Sequence, residues 1–89
     1  MPFALICRDR PGARDIRKAN RDAHLAYVAD HPILLGGPML DDAGGMIGSL
    51  LILDVDDRAA AEAFAASDPY ATAGLFESVE IVAWKRVIG

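Results

Sequence analysis

Pro38 stands in the middle of a segment, Ile33 to Leu40, whose apolar residues otherwise read as a β-strand. Proline cannot donate to a ladder of backbone hydrogen bonds, so in a sheet it is confined to edges and bulges. The two residues before it, Gly36 and Gly37, weaken a strand further and favour close approach of another backbone. Any sheet this chain builds must therefore carry the Gly36-Gly37-Pro38 segment at its edge.

The remaining segments leave few arrangements that satisfy this condition. Phe3 to Arg8 reads as a strand, and Asp9-Arg10-Pro11-Gly12 as a turn. From about Ala13 to Asp30 the pattern is helical, with Ile16, Ala19, Ala23, Ala26 and Tyr27 forming one face at three- and four-residue spacing. Arg14, Arg17, Lys18 and Arg21 fall mostly on the other sides, and His24 at the margin of the apolar stripe. His31-Pro32 ends this helix, because the residue before a proline is pushed out of helical angles. Asp41 to Gly45 makes a turn, and Met46 to Val55 is a strongly apolar strand suited to the middle of a sheet. Asp56 or Asp57 caps a second, alanine-rich helix over Arg58 to Ser67. Asp68-Pro69 then opens a short helical turn, with Asp at the N-cap and Pro at the first helical position. Glu77 to Val87 reads as the last strand. The order is β-α-β-β-α-β in one domain spanning residues 1–89. Two right-handed crossovers place the strands 4-1-3-2, an α+β, ferredoxin-like antiparallel sheet with Pro38 on an edge strand.

Two helices cover only one face of such a sheet. A face left to water should show polar residues in alternation, yet both strand faces are apolar. Phe3, Leu5 and Cys7 oppose Ala4 and Ile6; Ile47, Leu51 and Leu53 oppose Met46, Leu50 and Ile52; Val79, Ile81 and Val87 oppose Val82, Trp84 and Ile88. An uncovered apolar face marks an interface, which predicts a homodimer through the open sheet face with two-fold symmetry. A small-molecule site is then expected between this face and nearby helix or loop residues.

Charge and cysteine content exclude several functions. A net charge of −4 and a pI of about 4.9, with no Lys/Arg-rich tract, argue against binding nucleic acid. No apolar run is long enough to span a bilayer, and no secretory leader pattern opens the chain. Cys7 is the only cysteine, so neither an intrachain disulfide nor a cysteine metal cluster can form. This suits a cytoplasmic location. Lying in an apolar run, Cys7 reads as a small buried hydrophobe rather than a nucleophile.

Few residues remain that could carry chemistry. His24 can take or give a proton at neutral pH, although a half-buried histidine with a purely packing role fits the same position. Asp68 can serve as a cap, and a carboxylate has lone pairs for a second partner as well. His31 reads as a helix-end residue; paired with His24 it makes no metal site, since no further ligands follow in a recognisable pattern. Ser49, set among Met, Ile, Gly and Leu, either bonds a neighbouring backbone group or points into a pocket to orient a substrate. It lacks the strained turn of a nucleophile elbow. Gly36, Gly37 and Pro38 do not match a phosphate loop, since no helix follows them. Tyr27 and Tyr70 can supply pocket walls with polar tips.

Taken together, Arg21-Asp22-Ala23-His24-Leu25-Ala26-Tyr27-Val28, then Leu34-Leu35-Gly36-Gly37-Pro38-Met39, then Asp68-Pro69-Tyr70 with Gly74-Leu75, resemble the YCII (YciI-like) family over nearly the whole chain. The resemblance implies a dimeric α+β barrel of ferredoxin-like subunits and an active site built on a His–Asp pair, here His24 and Asp68. Ser49, Gly37, Pro38 and Tyr70 are the expected substrate-binding residues. The expected function is cofactor-independent, metal-independent proton transfer of isomerase or lyase type on a small cyclic or oxygenated metabolite. A non-catalytic metabolite-binding or accessory homodimer is the alternative.

Overall fold

The computed structural model describes residues 1–89. Its elements run β1 (Pro2–Asp9), α1 (Arg14–Ala29), β2 (Ile33–Leu40), β3 (Met46–Asp54), α2 (Arg58–Ser67), α3 (Pro69–Thr72) and β4 (Phe76–Ala83). They build an α+β fold on one four-stranded antiparallel sheet of order β2-β3-β1-β4, which is 4-1-3-2 read from the other edge. Pro38 lies on an edge strand, as its missing N–H requires. Beside it, a side chain at Gly36 would collide with Leu51 and with the Leu50 carbonyl of β3, so this glycine lets the two strands pair.

Strand pairing fixes which residues meet the helices. β1 pairs with β3 as Phe3↔Leu53, Leu5↔Leu51 and Cys7↔Ser49, and these residues alternate with a second set on the opposite face. The first set, apart from Ser49, joins Ala61 and Phe64 of α2 in the larger core cluster. A smaller cluster of Ala13, Tyr70 and Leu75 closes the end of the sheet beside α3. The β1–β4 register shifts between Arg8 and Asp9, passing over Glu77 so that Phe76 pairs with Asp9. This irregularity turns Phe76 inward, where it packs against both clusters.

Two sequence expectations need correction. The buried stripe of α1 is rotated from the predicted one: Ala19, Ala23 and Ala26 face out, while Arg17 and His24 are the helix's buried residues. Alanines carry so little apolar surface that they did not decide which face packs. The last strand ends at Ala83, not Val87. Trp84 N–H reaches the Pro2 carbonyl at 2.9 Å, and Pro2 opens β1, so Lys85 onward has no strand beside it. Val87 and Ile88 consequently lie exposed rather than on sheet faces. Of the two candidate caps for α2, Asp57 fills the role, accepting from Ala60 N–H at 2.8 Å.

The face away from the helices is apolar over β2, β3 and the first part of β1, and turns polar at the β1–β4 corner, where Arg8 pairs with Glu80. Leu35, Ile52, Ala4 and Val82 form one row, and Leu50 and Ile6 follow in the next. Leu35, Leu50 and Val82 are 45%, 36% and 42% exposed. No helix is long and apolar enough to cross a membrane.

Candidate active site

α3 and the middle of α1 meet above the sheet, and their contact brings His24 to Asp68. Asp68 is the N-cap of α3, and its Oδ1 accepts the Tyr70 N–H at 2.9 Å. Pro69 occupies the first helical position, where its missing N–H costs nothing. The same Oδ1 lies 2.8 Å from His24 Nδ1, with both side chains buried. Capping and the pairing predicted from sequence are thus both present, on a single oxygen.

The imidazole is held on its flat side as well. Tyr70, the second residue of α3, stacks on it with ring centroids 4.0 Å apart and planes 14° from parallel. The Arg17 guanidinium sits 4.7 Å from the centroid of the same tyrosine ring, within range of a cation–π attraction. Since Nδ1 faces a carboxylate, the stable neutral tautomer carries its proton there, leaving the Nε2 lone pair free. Nε2 has no partner in the protein, and no side-chain nitrogen or oxygen sealed from solvent lacks one. Nε2 therefore opens on the cavity that His24 lines. Burial pushes the Tyr70 phenol up, while Arg17 and Arg21 pull it partway back, so the phenol keeps its proton at neutral pH.

Arg17 is the residue the sequence reading misplaced. It is 5% exposed and anchors the other end of the site. Nε and Nη2 bind Asp9 at 2.7 and 2.9 Å in a two-pronged pair, and Nη2 also donates to Ser49 Oγ at 3.0 Å. Burial disfavours the guanidinium charge, but the Asp9 carboxylate, with Tyr70 adding to it, outweighs this and raises the Arg17 pKa. Removing one partner of such a buried pair typically costs about 3–5 kcal/mol, because the other charge is left uncompensated. Ser49 accordingly bonds a side chain rather than a backbone group, and it is fixed at the cavity floor.

The cavity measures about 210 Å³ and lies between α1 and the β2–β3 edge of the sheet. It opens on the helix-covered side; the sequence reading placed it against the open face. Register explains the difference, because Ser49 and Leu51 share the inward row with Cys7 and Leu5. His24, Ser49, Gly37, Pro38 and Tyr70 all line this cavity, together with Arg17 and Arg21. Asp68 stands behind His24 and does not line it. Tyr27 is elsewhere, donating its hydroxyl to the Phe64 carbonyl at 2.8 Å and packing on His31. His31 stays at the helix end, its Nδ1 2.6 Å from the Tyr27 carbonyl. No three His, Cys, Asp or Glu side chains are gathered where they could share a cation.

Comparison with known proteins places this geometry in a family. The model of the YCII-related domain matches residues 1–85. The chain belongs to the YCII family. Protein YciI of Escherichia coli is 32% identical to it, covering 98% of this chain and 99% of the relative. An uncharacterized protein of Haemophilus influenzae has the same identity and coverage. Among solved structures, this YCII chain is similar to the 5-chloro-2-hydroxyhydroquinone dehydrochlorinase TftG of Burkholderia phenoliruptrix, solved in complex with 2,5-dihydroxybenzoquinone. The TM-score is 0.90 at 35% identity, covering 98% of this chain and 96% of that one. Rv0793 of Mycobacterium tuberculosis shares the fold at a TM-score of 0.63 and 20% identity, with both chains fully covered.

Proposed function

We propose that the chain is a small enzyme in which His24 moves a proton on a cyclic, oxygen-bearing substrate held in the α1–β2–β3 cavity. The observation that carries this reading is the orientation of His24: Nδ1 is tied to a buried carboxylate and Nε2 faces a cavity large enough for a small ring. Cavities of about 150 Å³ accept benzene, so 210 Å³ accommodates one substituted ring. Asp68 holds the imidazole in its productive tautomer and stabilises the imidazolium formed when Nε2 takes a proton. Tyr70 keeps the ring from turning, and Ser49, Gly37 and Pro38 shape the floor and the edge of the substrate site.

The chemistry is elimination or isomerisation. In an elimination, Nε2 removes a proton, the freed electron pair forms a double bond, and the leaving group departs with its bonding pair; no oxidant enters. The likeness to a dehydrochlorinase of hydroxylated rings supports this class. The working unit is a homodimer through the open sheet face, a reading supported by the exposure of Leu35, Leu50 and Val82.

The test is turnover of a panel of lactones and hydroxylated, halogenated aromatics by His24→Ala and Asp68→Asn. We expect kcat/KM to fall by about 10²–10⁴ in His24→Ala, the range typical of general acid–base catalysis. Asp68→Asn should lose less. Unchanged activity in both variants would sink the proposal.

A further inference from the structure

The chain carries thirteen acidic residues and a net charge of −4, yet no Asp or Glu lines the cavity. The ionisable residues that do line it are Arg17, Arg21, His24 and Tyr70. These do not have equal freedom. Arg17 is committed to Asp9 and Ser49, and His24 is bonded to Asp68. Arg21 lies one turn after Arg17 and one turn before His24, so all three share a face of α1. It is exposed, and it belongs to none of the chain's ion pairs.

Resting on the reading of this cavity as a substrate site, we infer that Arg21 is its specificity-determining cation, selecting ring compounds that carry a negative charge on oxygen over neutral rings. An acidic protein repels anions at long range. A substrate cavity stripped of carboxylates, with an unpaired guanidinium on the same lining as His24, reverses that field locally. A guanidinium offers several N–H donors in a plane and meets a phenolate, an enolate or a carboxylate without first losing its proton. Arg21 thereby fixes which edge of the ring faces Nε2.

The test is equilibrium binding at neutral pH by the wild-type protein, Arg21→Met and Arg21→Lys. The probes are 2,4-dinitrophenolate, benzoate and the neutral 2,4-dinitroanisole. The wild type should bind at least one anion more tightly than the neutral ether. Arg21→Met should weaken that anion by about tenfold, as expected for one charge-assisted hydrogen bond, and leave the ether within about twofold, while Arg21→Lys retains most of the preference. Loss confined to dinitrophenolate assigns the charge to a ring oxygen; loss confined to benzoate assigns it to a carboxylate beside the ring. Three results overturn the inference: no anion preference in the wild type, equal losses for anion and ether in Arg21→Met, or no anion binding by the wild type at about 1 mM, which corresponds to a binding free energy of about −4 kcal/mol. These titrations involve no turnover. A protein that binds anions through Arg21 but transforms nothing sinks the proton-transfer reading alone; one that turns over neutral rings without anion preference sinks this inference alone.

Discussion

His24 is restrained from three directions: by a carboxylate at Nδ1, by a tyrosine on its face and by the helix that carries it. Beneath this arrangement lies Cys7, which a reader of nucleophiles would single out. Burial pushes its thiol up to about 12, with Asp68 adding to the rise, Arg17 opposing it and Asp9 adding a little more. Thiols react as thiolates, so native Cys7 should resist alkylation at about pH 8 and be modified once per chain in denaturant. The linkage has a definite sign. An unfolded thiol releases its proton near pH 8.5, whereas the folded one holds it to about 12, so stability contributed by Cys7 is lost as pH rises through that window. Denaturant titrations above about pH 9 should show a shallower decline for Cys7→Ala than for the wild type, by up to about 1.4 kcal/mol per pH unit; parallel curves would refute this. At the same scale, His24, Asp68 and Tyr70 were legible because each stands in a short, distinctive string. Arg17 and Asp9 were not, because a charged residue on a helix reads as solvated and Asp9 reads as part of a turn. The available signal was parity: Asp9 continues the inward row Phe3, Leu5, Cys7, and Arg17 lies seven residues before His24, two turns away on the same face.

At the scale of the element, α3 is only four residues long, far too short to persist alone. Its ends hold it. Asp68 caps the start, and the far end closes with two bonds, Gly74 N–H to the Ala71 carbonyl at 3.0 Å and Leu75 N–H to the Tyr70 carbonyl at 3.1 Å. This is a Schellman ending, with Gly74 at φ +77° and Leu75 packed on Tyr70. A left-handed backbone costs a non-glycine residue about 1–2 kcal/mol, so Gly74→Ala should lower stability by that amount in denaturant titrations. Because α3 positions both Asp68 and Tyr70, the proposed turnover should fall with it. The short turn of helix was readable from Asp68-Pro69. The true face of α1 was not, since alanines at Ala19, Ala23 and Ala26 imitate an apolar stripe without supplying the area that drives burial.

At the scale of the whole molecule, the order of strands followed from one proline and the handedness of crossovers. The side of the sheet that bears the cavity did not follow, because both faces are equally apolar in sequence. If the open face is covered by a second copy, Leu50→Glu, which alters an exposed position, should leave the monomer fold within about 0.5 kcal/mol while shifting sedimentation from dimer to monomer. A wild type that sediments as a monomer across the micromolar range would remove the dimer from the proposal. The strand order has a further consequence, in time rather than in space. β1 is the first of the four strands in sequence, yet it lies between β3 and β4, so each of its pairings joins segments far apart along the chain. The two halves of the dyad are 44 residues apart. Contacts of such long sequence separation form late, because the intervening loop must be closed before they add stability. The His24–Asp68 pair, and with it the cavity wall that His24 forms, therefore belongs to the later contacts of folding rather than to its start.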